Sequence, residues 1–205
     1  MPLSIRLDPG AGKGPPRPGR HAGGVTEPPP PQYAQPWAGD PRDTPPLVGD
    51  ERTMLTAFLD WHRQTLELKC TGVPVEQLSV RQVPPSTLTL HGLVRHLAAV
   101  ERWWFRQQFA GEALPDLYFT DENPDADFDD LGGSFAEALA VWREECRASR
   151  AIVAATASLD ATGVHRASGR PVSLRRILVH SIAEYARHNG HADLLRERID
   201  GATGY

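Results

Sequence analysis

The chain has 205 residues, 40% of them hydrophobic, and a formal net charge of -4 at pH 7. That length suits one domain, or one domain with a tail, and the hydrophobic share suffices for a core. So mild a charge predicts no nucleic-acid surface, and no apolar run is long enough to span a bilayer.

The N-terminus lacks the apolar stretch of a signal peptide. Cys70 and Cys146 make no disulfide framework and read as free thiols. Together these predict a cytoplasmic protein, and nothing in them conflicts with a homodimer.

Residues 1–47 are crowded with Pro and Gly, as at Pro15-Pro16, Pro28 to Pro31 and Pro45-Pro46. Such a stretch buries too little apolar surface to offset its ordering entropy, so a disordered tail with polyproline character is expected. Residues 48–205 are patterned as helices. The first is expected from Asp50, its N-cap, to Cys70, with Leu55, Phe58, Leu59, His62 and Leu66 on one stripe. A second helix is expected over Thr89 to Ala110, with Leu90, Leu93, Leu97, Val100 and Trp104 apolar. Residues 115–133 read as an acidic loop.

Ser134 and Glu137 form a capping box that opens a third helix, with Phe135, Leu139, Trp142, Cys146 and Val153 on its stripe. A short variable stretch, 162–170, leads to a fourth helix over Ser173 to Ile199, closed by Gly201. Four amphipathic helices with little strand signal predict an all-α fold, a four-helix bundle.

The fourth helix carries the chemistry. Glu184 and His188 are one turn apart, on the stripe Leu174, Ile177, Ser181, Glu184, His188, His191, Leu195. A carboxylate turned toward a core must be paired, protonated or bound to a cation. A metal ion would satisfy it and engage the imidazole as well. The plainer reading is an i,i+4 hydrogen bond on a half-exposed face. His96 borders the apolar stripe of the second helix and can face the fourth. A lone histidine there also reads as a core residue with one hydrogen bond. His91, its rival, lies nearer the helix start, where a shallow position is expected.

The second helix, with Leu93, His96-Leu97 and Val100-Glu101-Arg102-Trp103-Trp104, resembles the DinB-like superfamily of metal-dependent enzymes. So does Glu184, three residues, His188, then Asn189-Gly190-His191-Ala192-Asp193-Leu194-Leu195-Arg196-Glu197. The end, Ile199 to Gly204, resembles one actinobacterial branch. The resemblance spans about Leu47 to Gly204.

It implies a bundle with a metal held by one histidine of the second helix and two residues of the last. Glu184 stands where many members carry histidine, a variant similar to mycothiol-dependent maleylpyruvate isomerases. Carried over, the metal ligands are His96, Glu184 and His188, with His180 and His191 as supporting or substitute ligands. Zinc is the first expectation, with nickel, iron or manganese as alternatives. The resemblance implies a thiol-dependent transferase or isomerase, with partners a small-molecule thiol such as mycothiol and an electrophilic substrate. Arg95, Arg102 and Arg187 could bind acidic groups of the cofactor, although solvated helix faces are the simpler reading for each.

Two other functions stay open: a hydrolase acting through metal-bound hydroxide, and a non-catalytic stress-related binding bundle whose Glu-His pair is structural. Gly10-Ala11-Gly12-Lys13-Gly14 is no phosphate loop, lacking the Ser or Thr after the lysine and a preceding strand. Asp125, Asp127 and Asp129 alternate as in a calcium loop, but Asp130 stands where glycine is required.

Overall fold

A computed structural model of the protein describes residues 40 and 42–202. The tail expected over 1–47 lies outside the described residues, except for its last few positions. The described elements are α1 (Glu51–Cys70), α2 (Leu90–Glu101), a π-helical segment (Arg102–Phe109), α3 (Ala126–Asp129), α4 (Phe135–Ala155), a hairpin of β1 (Thr162–His165) and β2 (Arg170–Ser173), and α5 (Leu174–Asp200).

The four long helices end where local chemistry dictates. Asp50 accepts from the Thr53 amide at 2.8 Å, Thr89 from Gly92 at 2.9 Å, and Ser173 from Arg176 at 3.2 Å. Ser134 and Glu137 close the expected capping box. Gly201 ends α5 in the left-handed region at φ 76°, a conformation that costs glycine little. α1 packs chiefly on α5 and α2 on α4, while α2 and α5 meet across the middle. The all-α bundle is therefore as expected.

Three local features depart from the sequence expectation. The second helix keeps its expected extent, but after Glu101 its turns widen to the π form, closed by the Ala110 amide on the Phe105 carbonyl at 3.0 Å. In that segment Arg102 and Arg106 both reach the buried Glu145 of α4. Phe58, placed on the core stripe of α1, is 40% exposed.

The stretch read as a variable connection is a hairpin pairing Thr162 with Ser173 and His165 with Arg170. Four-residue strands are too short to show a period of two in sequence. The hairpin docks on the π segment through Gly163. A Cβ there would lie 2.2 Å from the Gln108 carbonyl oxygen and 2.7 Å from that of Phe109.

The core encloses a polar network that touches all four long helices. Glu101 of α2 is fully buried. It accepts from Arg63 of α1 at 2.8 and 2.7 Å and from the Tyr185 hydroxyl of α5 at 2.8 Å. Trp142 of α4 donates its indole N–H to the Tyr185 oxygen at 2.8 Å, and the Cys146 thiol lies 3.6 Å from Glu101. Burial alone would raise the Glu101 pKa, but the Arg63 charge together with the hydrogen bonds from Arg63 and Tyr185 outweighs it and holds the carboxyl below its ordinary range. Burial pushes the thiols up, Cys70 to about 12 and Cys146 higher still, so both stay protonated.

Glu101→Ala leaves the Arg63 charge buried and without this partner, and is expected to cost about 3–5 kcal/mol in urea unfolding. A loss below about 1 kcal/mol would show that the network does not hold the bundle. Gly163→Ala forces the hairpin off the π segment and is expected to cost about 1–3 kcal/mol, in line with overpacking elsewhere. An unchanged melting midpoint would contradict that docking.

Candidate metal centre

α5 turns Tyr185 into the core, and its neighbours on either side, Glu184 and His188, face α2. There they meet His96. One donor atom from each of His96, Glu184 and His188 lies within 4.8 Å of the other two. The two imidazole rings are tilted against each other with centroids 4.6 Å apart. His188 Nε2 is 3.4 Å from Glu184 Oε2. His188 is buried, and Glu184 and His96 are partly buried. Desolvation, reinforced by the other two histidines, pulls the His188 pKa down to about 3, so its ring is neutral at any physiological pH.

The far nitrogens of both rings are occupied. His96 Nδ1 lies 2.7 Å from Asp127 Oδ2. A carboxylate oxygen accepts, so in the neutral ring the proton sits on Nδ1 and the Nε2 lone pair is left for another partner. His188 Nδ1 is 3.3 Å from His191 Nδ1, one ring donating to the other. When His188 is the donor, its Nε2 lone pair faces a carboxylate oxygen. That arrangement is repulsive unless a proton or a cation lies between the two atoms.

Asp127 comes from the loop that reads as merely acidic in sequence. It is buried, on the short helix α3, and stands beside Phe128, which stacks on His96 with centroids 4.8 Å apart. Arg95 folds that loop. Its guanidinium donates to the carbonyls of Asp127 at 3.2 Å, Asp130 at 2.6 Å and Gly132 at 2.8 Å, and lies 4.0 Å from the Tyr118 ring centroid. Successive residues of α2 thus do two jobs: Arg95 shapes the loop and His96 receives the carboxylate it delivers. Only the apolar flanks of Asp127, Ala126 and Phe128, hint at this in sequence.

The other residues singled out in the sequence are not members of the three-donor group, although His180, Arg187 and His191 touch it. His91 is deep rather than shallow, 1% exposed, with Nδ1 3.0 Å from the Ser79 hydroxyl. Burial and the nearby Arg95 charge lower its pKa. His180 sits one turn before Glu184, its Nε2 3.8 Å from Glu184 Oε1, and desolvation lowers its pKa. Neither Arg95 nor Arg102 is a solvated residue. Arg95 is buried in its loop, and Arg102 is held by Glu145 at 2.6 Å. Arg187 alone of the three is exposed, 3.4 Å from Glu184.

A cavity of about 290 Å³ opens beside His96, walled by Trp103, Trp104, Phe119, Pro124 and Asp127. The π segment supplies both tryptophans. The three-donor group therefore borders an apolar chamber with room for a small organic molecule.

The sequence profile of the family described as mycothiol-S-transferase matches residues 54–201. The chain belongs to that family, which is DinB-like. No curated protein matches the chain. Among solved structures, a conserved protein of a locus from Enterococcus faecalis superposes with a TM-score of 0.55 at 14% identity. It covers 75% of this chain and 99% of its own, a likeness of fold. Among the described residues, no helix is long and apolar enough to cross a membrane.

Proposed function

We propose that this mycothiol-S-transferase family member is a metal-dependent enzyme that binds one divalent ion through His96, Glu184 and His188 and transfers a mycothiol-type thiol to an electrophile. The carrying observation is the convergence of the three donors within 4.8 Å. It is supported by the occupation of each ring's far nitrogen by Asp127 or His191.

The donor set fits a metal. Two ligands about 2.0–2.1 Å from a zinc ion at a tetrahedral angle are about 3.3 Å apart. The 3.4 Å between His188 Nε2 and Glu184 Oε2 is close to that spacing. Two imidazoles and one carboxylate suit zinc first, then nickel, iron or manganese. Three protein ligands leave coordination open to a substrate, as in catalytic sites. A bound divalent ion supplies Lewis acidity that turns a thiol into a thiolate near neutral pH.

The chain's own residues do the rest. His96 and His188 present lone pairs, Glu184 supplies one negative charge, and Asp127 fixes the His96 tautomer. Trp103, Trp104 and Phe119 wall the space beside the group with apolar surface. In the transfer a sulfur–carbon bond forms, the thiol proton is lost to solvent, and the electrophile's leaving group or π electron pair departs from the attacked carbon.

Metal analysis of protein purified without a histidine tag is expected to find about one equivalent in the wild type. His188→Ala is expected to lose it while keeping a helical circular dichroism spectrum. Mycothiol-dependent conversion of chlorodinitrobenzene, with release of chloride, is expected to disappear with the metal. Equal metal content in both proteins would end this reading.

Asp127→Ala removes the acceptor that orients His96 and is expected to weaken metal binding about 10–100-fold in competition with a chelator. Unchanged affinity would remove Asp127 from the site.

A further inference from the structure

A second concavity, about 400 Å³, lies against the hairpin and the first turn of α5. Its lining includes Trp104, His165, Ser168, Arg170, Ser173 and Arg176. The cationic side chains at its rim are unusual for this protein. Nearly every described arginine is tied to a carboxylate or a carbonyl, as Arg63, Arg95, Arg102 and Arg196 show. The guanidiniums of Arg170, Arg176 and Arg198 alone have no hydrogen-bond or ion-pair partner among the described residues. Two of these three line the same cavity. Arg176 has only an aromatic contact, 5.9 Å from the Trp104 centroid. Among the described residues no carboxylate lines the cavity, in a chain whose net charge is -4.

The remaining lining favours an anion too. The cavity abuts the start of the 27-residue helix α5, whose dipole adds partial positive charge. Ser168 Oγ, 2.8 Å from His165 Nδ1, adds a hydroxyl. Trp104 gives a flat apolar wall, with the His165 ring stacked on it at 5.8 Å.

The cavity is also linked to the candidate metal centre. Trp104 lines both this cavity and the chamber beside His96. Its ring meets His180 edge-on at 4.6 Å, and His180 lies 3.8 Å from Glu184. Trp104 is thus a wall common to the space beside the three donors and the space beside the arginines.

We infer that the hairpin cavity binds the carboxylate of the electrophilic co-substrate, with Arg170 and Arg176 as its specificity-determining residues. The assignment to a co-substrate rests on the transferase reading above. Mycothiol is a neutral glycosylated cysteine derivative with no acidic group, contrary to the expectation that Arg95, Arg102 and Arg187 would meet one, so the anion belongs to the other reactant. A guanidinium fork matches a carboxylate in shape as well as charge, and the indole wall suits an aromatic or unsaturated acid.

Benzoate, its neutral isostere benzamide, and inorganic phosphate serve as probes in ligand-observed NMR titrations of the full chain. Benzoate is expected to bind saturably, and benzamide at least about tenfold more weakly. The double variant Arg170→Ala, Arg176→Ala is expected to lose about tenfold or more in benzoate affinity. Both side chains are exposed, so the fold and metal content should stay as in the wild type. Equal affinity for benzoate and benzamide, absence of saturable benzoate binding, or a double variant that binds benzoate as the wild type does would each overturn the assignment. Phosphate displacing benzoate at equal concentration would overturn it as well, by making the arginines a general oxyanion site. The two readings fail separately. Protein lacking metal that still selects benzoate through the arginines sinks the metal proposal alone. Metal-loaded protein that does not distinguish the probes sinks the carboxylate site alone.

Discussion

The buried carboxylate of Glu101 constrains everything around it. A charge out of water needs a fixed counter-charge and filled hydrogen bonds. Glu101 takes both from other helices: Arg63 from α1 and the Tyr185 hydroxyl from α5, itself held by Trp142 of α4. Apolar packing would tolerate α5 sliding or rotating slightly against α2, whereas this network accepts one register. That register decides the candidate site. Tyr185 is held inward, so Glu184 beside it and His188 a turn later are carried to the face where α2 presents His96, five residues before Glu101.

The same logic operates at the next level, where the donors themselves are oriented. An imidazole on a helix has a free χ2 angle and two tautomers, and a ligand site needs one orientation and one tautomer. For His96, Asp127 provides both constraints. Asp127 can do so only because Arg95 gathers the carbonyls of its loop into one turn. An acidic segment that would otherwise be solvated becomes a rigid support, and a guanidinium is what makes it rigid.

The long elements were legible because their signals are strong and local. Asp50, the Ser134–Glu137 box and Gly201 mark helix ends through hydrogen bonds made within four residues. Glu184 and His188 could be paired by helical geometry alone, and His96 was reachable through the family pattern. What escaped depends on contacts distant in sequence. Asp127 gains its role from a loop closure 31 residues away from its partner. Glu101 read as one charge in a motif, although its counter-ion lies on another helix. His91 is deep although it lies near a helix start, because a preceding turn, here the one bearing Ser79, folds over it. The hairpin escaped because its strands are stabilised by docking on the π segment through Gly163, a contact with no periodic trace.

The π segment explains why the site has a wall at all. An α-helical continuation of α2 would hold one residue fewer in each turn and so rotate the later side chains differently. The wider turns let Arg102 and Arg106 converge on the buried Glu145, which anchors the segment to α4. Trp103 and Trp104 then line the chamber beside His96. Widened turns are less favourable than α-helical ones in isolation and persist where the surroundings fix them. Here the fixing comes from Glu145 on one side and the Gly163 backbone on the other. Trp104, carried on this segment, is the side chain shared by the three-donor group's chamber and the arginine-lined cavity, so both depend on the same local distortion of one helix.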